Sequence, residues 1–226
     1  MFEHRFRDRS ELDEALVLTV ARRLSDAIQS RGEAVLALSG GSTPAGFFRR
    51  LSHTRLPWSK VLVLLVDDRW VPLAHEDSNE RMLREALLTG DAKEVRLLSL
   101  VDNYPDVEAN LARLKSDLAA ISTFDVVILG MGLDGHTASL FPCAAQIDDG
   151  LFGSDDVLMT SPATAPHQRV TLSRERIANT RFGALHIVGD DKLAVLQKAL
   201  KVNEPRAFPV TSILVQEKAF ELYWSP

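Results

Sequence analysis

The sequence predicts an α/β fold, a mostly parallel sheet with helices on both faces, and three observations predict it. Aliphatic runs of strand length recur along the chain, several of them apolar throughout, as strands covered on both faces must be. Stretches with apolar residues at helical spacing fall between them. Four of the runs lead into turns rich in glycine and charge, which is where an open parallel sheet gathers its ligands.

The elements follow in order. Leu12, Leu16, Val20, Leu24 and Ile28, with Ala15 and Ala27 beside them, predict an amphipathic opening helix that Gly32 ends. Strands are expected at Ala34–Leu38, Val61–Val66, Val126–Leu129, Leu185–Val188 and Val210–Val215. Between them, Asp77 with Glu80 resembles a capping box opening a helix over Asn79–Leu88. Val107, Leu111, Leu114 and Leu118 form one helical stripe, and Leu193, Leu196 and Leu200 another. Pro142–Gln168 reads as an irregular surface excursion near the site, with a short strand at Val157–Thr160. No linker divides the chain, so one domain over 1–226 is expected.

Composition narrows the function. The chain has 226 residues, 26 Lys+Arg against 31 Asp+Glu for a net charge of −5, and 46% hydrophobic residues. That balance excludes a disordered chain. A chain of this size buries roughly 70–75% of its unfolded surface and needs no covalent staple. Cys143 is the single cysteine, so no intrachain disulfide can form, which fits a reducing compartment. The acidic balance, with no basic block, argues against nucleic acid. The purest aliphatic run, Val61–Val66, falls far short of the roughly 18 residues of a membrane span, and no export signal is expected, since Met1–Ser10 alternates charge and lacks an apolar stretch. A cytoplasmic protein, monomeric or weakly self-associating, is expected.

Chemistry gathers after the strands. Ser39-Gly40-Gly41-Ser42-Thr43-Pro44 follows the first. Gly40 and Gly41 let the backbone turn tightly and approach a ligand, Thr43 is placed to cap the next helix, and Pro44 suits its first turn. Free amides there suit a phosphate, although the same turn also serves as an ordinary strand-to-helix connection. It is neither a P-loop nor a nucleophile elbow. Asp67-Asp68-Arg69 follows the second strand, and at least one of the two carboxylates is expected to face the cleft. Gly130-Met131-Gly132-Leu133-Asp134-Gly135-His136 follows the third and matches G-x-G-x-x-G. A dinucleotide site is rejected: Asp134 would aim a carboxylate at the pyrophosphate, Pro142 comes too soon for a long helix, and no strand ending in an acid follows about 20 residues on. The glycines instead place Asp134 and His136 side by side.

His136 is the best catalytic candidate among six histidines, because an imidazole is poised near neutral pH as a general base. His186 lies in an apolar strand, where packing explains it, and His167 lies in the irregular loop, where nothing selects it. Arg69, Arg169 and Lys192 are the cations nearest strand ends and suit a phosphate. No metal is expected, since Asp134 and His136 have no further clustered ligands. No cofactor is expected either. Cys143 could serve as a nucleophile in principle, but a lone cysteine beside Phe141 and Pro142 reads as a small buried hydrophobe.

These segments resemble the 6-phosphogluconolactonase family. The resemblance rests on Leu38–Pro44, Asp67-Asp68-Arg69-Trp70-Val71-Pro72, Asp77-Ser78-Asn79, Gly130–Pro142, Arg169–Ser173 and the Gly189–Lys192 turn, in family order. Asp68 stands where the family often has Glu, Cys143 where a glycine often follows Phe-Pro, and Pro162–Gln168 lacks a lysine often found there. The resemblance implies a Rossmann-like fold shared with glucosamine-6-phosphate deaminases and ribose-5-phosphate isomerases. It implies a phosphosugar lactone as substrate, with water attacking the ester carbon and His136 as base. It further implies a phosphate held by Gly41, Ser42, Thr43, Arg169 and Lys192, and a sugar ring lined by Asp67, Arg69 and Asp134. Backbone amides of Gly130–Gly135, or Arg69, would stabilise the oxyanion. An amino-sugar phosphate deaminase would share the Asp-Gly-His segment, but Ala138–Pro142 is lactonase-like and no ring-opening glutamate follows. A non-catalytic sugar-phosphate sensor is expected to carry an output module, and no segment here is expected to supply one.

Overall fold

The apolar runs assemble as the alternation requires. The computed structural model describes residues 2–41, 43–214 and 220–226. In chain order the elements are β1 (Glu3–Arg5), α1 (Arg9–Arg31), β2 (Ala34–Leu38), α2 (Ala45–Leu51), β3 (Val61–Leu65), β4 (Asp67–Arg69), α3 (Asn79–Ala86), β5 (Arg96–Leu98), α4 (Val107–Ala119), β6 (Val126–Leu129), α5 (Ile147–Phe152), β7 (Val157–Thr160), β8 (Arg169–Leu172), α6 (Arg174–Ala178), β9 (Gly183–Val188), α7 (Asp190–Val202), α8 (Thr211–Leu214) and β10 (Glu221–Ser225). Among the described residues, seven strands form a parallel sheet in the order β1-β10-β9-β6-β2-β3-β5. A second, antiparallel sheet has the order β4-β8-β7.

Sequence explains the centre of the large sheet. Every residue of β6 is buried, as are the first five of β9, so these strands are covered on both faces. Helix α1 runs from an Asp8 cap, whose carboxylate accepts from the Glu11 amide, to a left-handed Gly32 whose amide closes on the Ile28 carbonyl. Its stripe of Leu12, Leu16, Val20 and Leu24 is fully buried in the core. Among the described residues, no helix is long and apolar enough to cross a membrane.

Several expectations are corrected. Val210–Val215 is not a strand. Its described part contains the helical turn α8, in which the Thr211 and Ser212 hydroxyls bond back to the Phe208 and Pro209 carbonyls. A short buried apolar run does not by itself distinguish the two states. Val215 lies outside the described residues, and the last strand is β10. Asp77 does not cap α3. Ser78 does, accepting from the Arg81 amide, while Asp68 takes the Asn79 and Glu80 amides. The helix ends at Ala86 rather than Leu88. Leu200 is 37% exposed, and Ala199 lies in the core in its place. The Pro142–Gln168 excursion holds the expected β7 and, in addition, α5, and its Cys143 is exposed rather than buried, with Sγ 3.3 Å from Thr164 Oγ1.

Candidate active site

Three strand ends of the parallel sheet and one edge of the antiparallel sheet meet at a cavity of about 440 Å³. Gly40, Gly41 and Thr43 line it after β2, Asp67 and Arg69 in β4, and His136 after β6. Arg169 of β8 and Lys192 of α7 close the group. The expected site residues therefore converge, with two exceptions. Ser42 lies outside the described residues. Asp134 is not among the lining residues but contacts His136, which is.

The turn after β6 is built to hold His136. Asp134 Oδ1 lies 2.5 Å from His136 Nδ1 and also accepts from the His136 amide at 3.1 Å. Gly132 is required because a Cβ there would collide with the imidazole. Phe141 stacks on the ring, with centroids 4.0 Å apart at 28°. Nδ1 is thus committed to Asp134, and Nε2 is the nitrogen left for chemistry. Burial by itself would raise the Asp134 carboxyl, but hydrogen bonding and charge attraction from His136 outweigh it and hold the carboxyl below its ordinary value.

The same turn leaves few amides for an oxyanion. Gly130 N–H donates to Ser39 Oγ, Gly132 N–H to the His136 carbonyl, and Gly135 N–H to the Gly132 carbonyl. With His136 N–H on Asp134, four amides of the segment are engaged within the fold. Of the two donor sources expected from sequence, Arg69 is the one that lines the cavity with a full charge.

The turn after β2 differs from expectation at Thr43. Helix α2 starts at Ala45 with Pro44 as its unassisted cap, and Thr43 makes no capping bond. Its carbonyl instead accepts from the Arg9 guanidinium. Gly41 has φ of +96°, a conformation side chains rarely tolerate, and Gly40 packs directly against the Asn79 side chain.

The antiparallel sheet brings the cations together. Arg69 and Arg169 are directly opposite each other across β4 and β8, a like-charge pairing that is unfavourable without an anion. Arg169 is 6% exposed, and its Nε has no hydrogen-bond partner. Burial, then the charge of Arg69, lower its guanidinium from its ordinary value, and burial does the same to the Lys192 ammonium. Arg69 donates to the Asp77 carbonyl at 2.6 Å.

Of the two carboxylates, Asp67 lines the cavity and Asp68 does not. Asp67 Oδ2 accepts from Ser139 Oγ at 2.6 Å, tying the segment after His136 to the small sheet. Asp68 is buried, and desolvation raises its carboxyl to about 6 against the amide bonds of Asn79, Glu80 and Arg69.

Sequence reasoning missed Ser139, Asn79 and Phe141 as site builders, although all three stand in the quoted segments. It also missed the grouping of His75, Asp77 and His167. Their ligating atoms lie within 4.8 Å of one another, a set that could hold a cation. His167 reaches Asp77 at 2.9 Å and lines the cavity. It and Ala138 are both left-handed, at φ of 67° and 48°. Residues with a Cβ adopt that conformation at a cost, and such strain gathers at functional sites.

Comparison with known proteins places the chain. The family model described as "Glucosamine-6-phosphate isomerases/6-phosphogluconolactonase" matches residues 7–224. A 6-phosphogluconolactonase of Pseudomonas putida is 37% identical, the alignment covering 99% of this chain and 92% of the relative. The crystal structure of a 6-phosphogluconolactonase from Shewanella baltica superposes with a TM-score of 0.97 at 38% identity, covering 100% and 98% of the two chains. A monomeric glucosamine-6-phosphate deaminase shares the fold, with a TM-score of 0.83 at 19% identity over 100% and 97% of the two chains.

Proposed function

The chain belongs to the family of glucosamine-6-phosphate isomerases and 6-phosphogluconolactonases, and from that premise we propose that His136 acts as general base in hydrolysing 6-phospho-D-glucono-1,5-lactone to 6-phospho-D-gluconate. The chain is a lactone-cleaving carboxylic-ester hydrolase of the pentose phosphate pathway. The roles of its residues are our reading.

A lactone is an activated ester, so a positioned water suffices as nucleophile. The water oxygen bonds to C1 while its proton passes to His136 Nε2, and the carbonyl electrons move onto the oxyanion. Arg69 stabilises that charge. As the tetrahedral intermediate collapses, the C1–ring-oxygen bond breaks and the imidazolium returns its proton to the ring oxygen. The product acid then ionises to solvent. Asp134 fixes the tautomer and stabilises the imidazolium, the part a carboxylate plays behind a catalytic histidine.

The far end of the substrate supplies binding energy. Its phosphate lies between the β2 turn and the cations Arg169 and Lys192. That hold fixes C1 beside His136. We read 1–226 as one catalytic unit acting in the cytoplasm without a cofactor, as a monomer or weak homo-oligomer.

The observation that carries this reading is the His136 ring, held at Nδ1 by Asp134 and lining the same cavity as three cations. Replacing His136 by Ala is expected to lower kcat over the spontaneous background by about 10²–10⁴-fold. Binding of 6-phosphogluconate, measured by calorimetry, should change little. Retained turnover would overturn the assignment.

A further inference from the structure

We propose that His186, braced by Asp13, is a further ligand for the phosphoryl end of the substrate. It rests on the reading above in taking the anion to be a phosphate monoester.

His186 in β9 is 2% exposed and Asp13 in α1 is 3% exposed. Their atoms His186 Nε2 and Asp13 Oδ1 face each other at 3.4 Å, and neither has a hydrogen-bond partner. Burying both groups is costly, and an apolar pair of similar volume would pack a strand and a helix at least as well. Packing alone therefore does not account for the pair. His186 also lines the cavity, and its contacts with Asp13 and with Phe47 tie it to α1 and to α2, the helix that follows the expected phosphate turn.

The surroundings fix the pair in place. On α1, Arg9 Nε stands 3.9 Å from Asp13 Oδ2 while its guanidinium also holds the Thr43 carbonyl of the phosphate turn. On α2, Gly46 lies so close to Asp13 Oδ2 that a Cβ would collide with it, and Phe47 sets its ring edge-on to His186 at 6.2 Å. On α7, Lys192 is a cation that lines the same cavity. With Nε2 turned to Asp13, Nδ1 is the ring nitrogen left to serve the cavity. A lone pair on Nδ1 repels an anion, whereas a proton there places an imidazolium between the Asp13 carboxylate and the phosphate. Phosphate binding should therefore draw one proton onto His186. Water supplies that proton, and product release returns it.

The test is nitrogen-detected imidazole spectroscopy of the wild-type protein at neutral pH, with inorganic phosphate as the probe. The His186 signals are assigned through His186→Gln or, where that variant does not fold, through bonds from the backbone. Saturating phosphate should move both ring nitrogens to imidazolium positions, and Asp13→Asn should abolish the shift. His186→Gln should lower kcat/KM for the phosphorylated lactone relative to unphosphorylated gluconolactone by about tenfold. Ring signals unmoved by phosphate, or equal losses on the two lactones, would overturn the proposal. A shifted ring in a protein that hydrolyses no lactone would sink the proposed function and leave this inference standing. Hydrolysis with an unmoved ring would do the reverse.

Discussion

Two imidazole–carboxylate pairs each contribute a histidine to the lining of one cavity, and they are built differently. His136 and Asp134 lie two residues apart in a glycine turn, close at 2.5 Å, and Asp134 is exposed. His186 and Asp13 come from a strand and a helix far apart in sequence, are buried, and stand 3.4 Å apart. The first geometry leaves a free nitrogen where water can reach it, which a general base requires. The second keeps water out and leaves the facing atoms His186 Nε2 and Asp13 Oδ1 without hydrogen-bond partners, which suits the proposed wait for an anion. The contrast teaches that the chemical pair does not set the role: solvent access and the distance to the partner do.

Changes at single residues should separate the roles. The largest effect is expected for Asp134→Asn, which frees the wrong tautomer at His136 and should cut kcat by about 10²-fold or more while leaving product affinity nearly intact. Steady-state kinetics with product-binding calorimetry checks this. Arg169→Ala comes next. It removes a buried charged donor from the phosphate end and should weaken 6-phosphogluconate binding by about ten- to a hundredfold with a smaller change in kcat.

A third change uses Asp68 as the buried carboxylate that has amides rather than an imidazole for partners. Its carboxyl is raised from 3.8 to about 6, so the folded state holds a proton that the unfolded chain releases earlier. Its contribution to stability therefore falls as pH rises from about 4 to about 6 and is level above that. Urea unfolding across this window should show that downward component in wild type and not in Asp68→Asn. The smallest effect is expected for His75→Ala, since His75 is half-exposed and does not line the cavity. Stability should stay within about 0.5 kcal/mol of wild type, with KM unchanged.

What the sequence discloses follows from locality. Asp134 and His136 are legible because both stand in one turn after an apolar strand, and Gly41 because a tight turn needs it. The partnership of Asp13 with His186 is not legible, because an apolar strand and an amphipathic helix each account for their own residue until the fold apposes them. The facing of Arg69 and Arg169 is hidden for the same reason: it depends on an antiparallel pairing between segments far apart in the chain. Val210–Val215 misleads because a buried run of this length satisfies both periodicities. Thr43 misleads because α2 begins one residue later than expected, so that Pro44 and not Thr43 occupies the cap position.

The division of labour has one direct test. The kcat/KM of wild type and His136→Gln is measured on 6-phosphogluconolactone and on unphosphorylated gluconolactone, each above its spontaneous rate. Both substrates present the same ester carbon, so the same fractional loss is expected on both, with their ratio preserved. A loss confined to the phosphorylated lactone would place His136 at the anion end and contradict its role as the base.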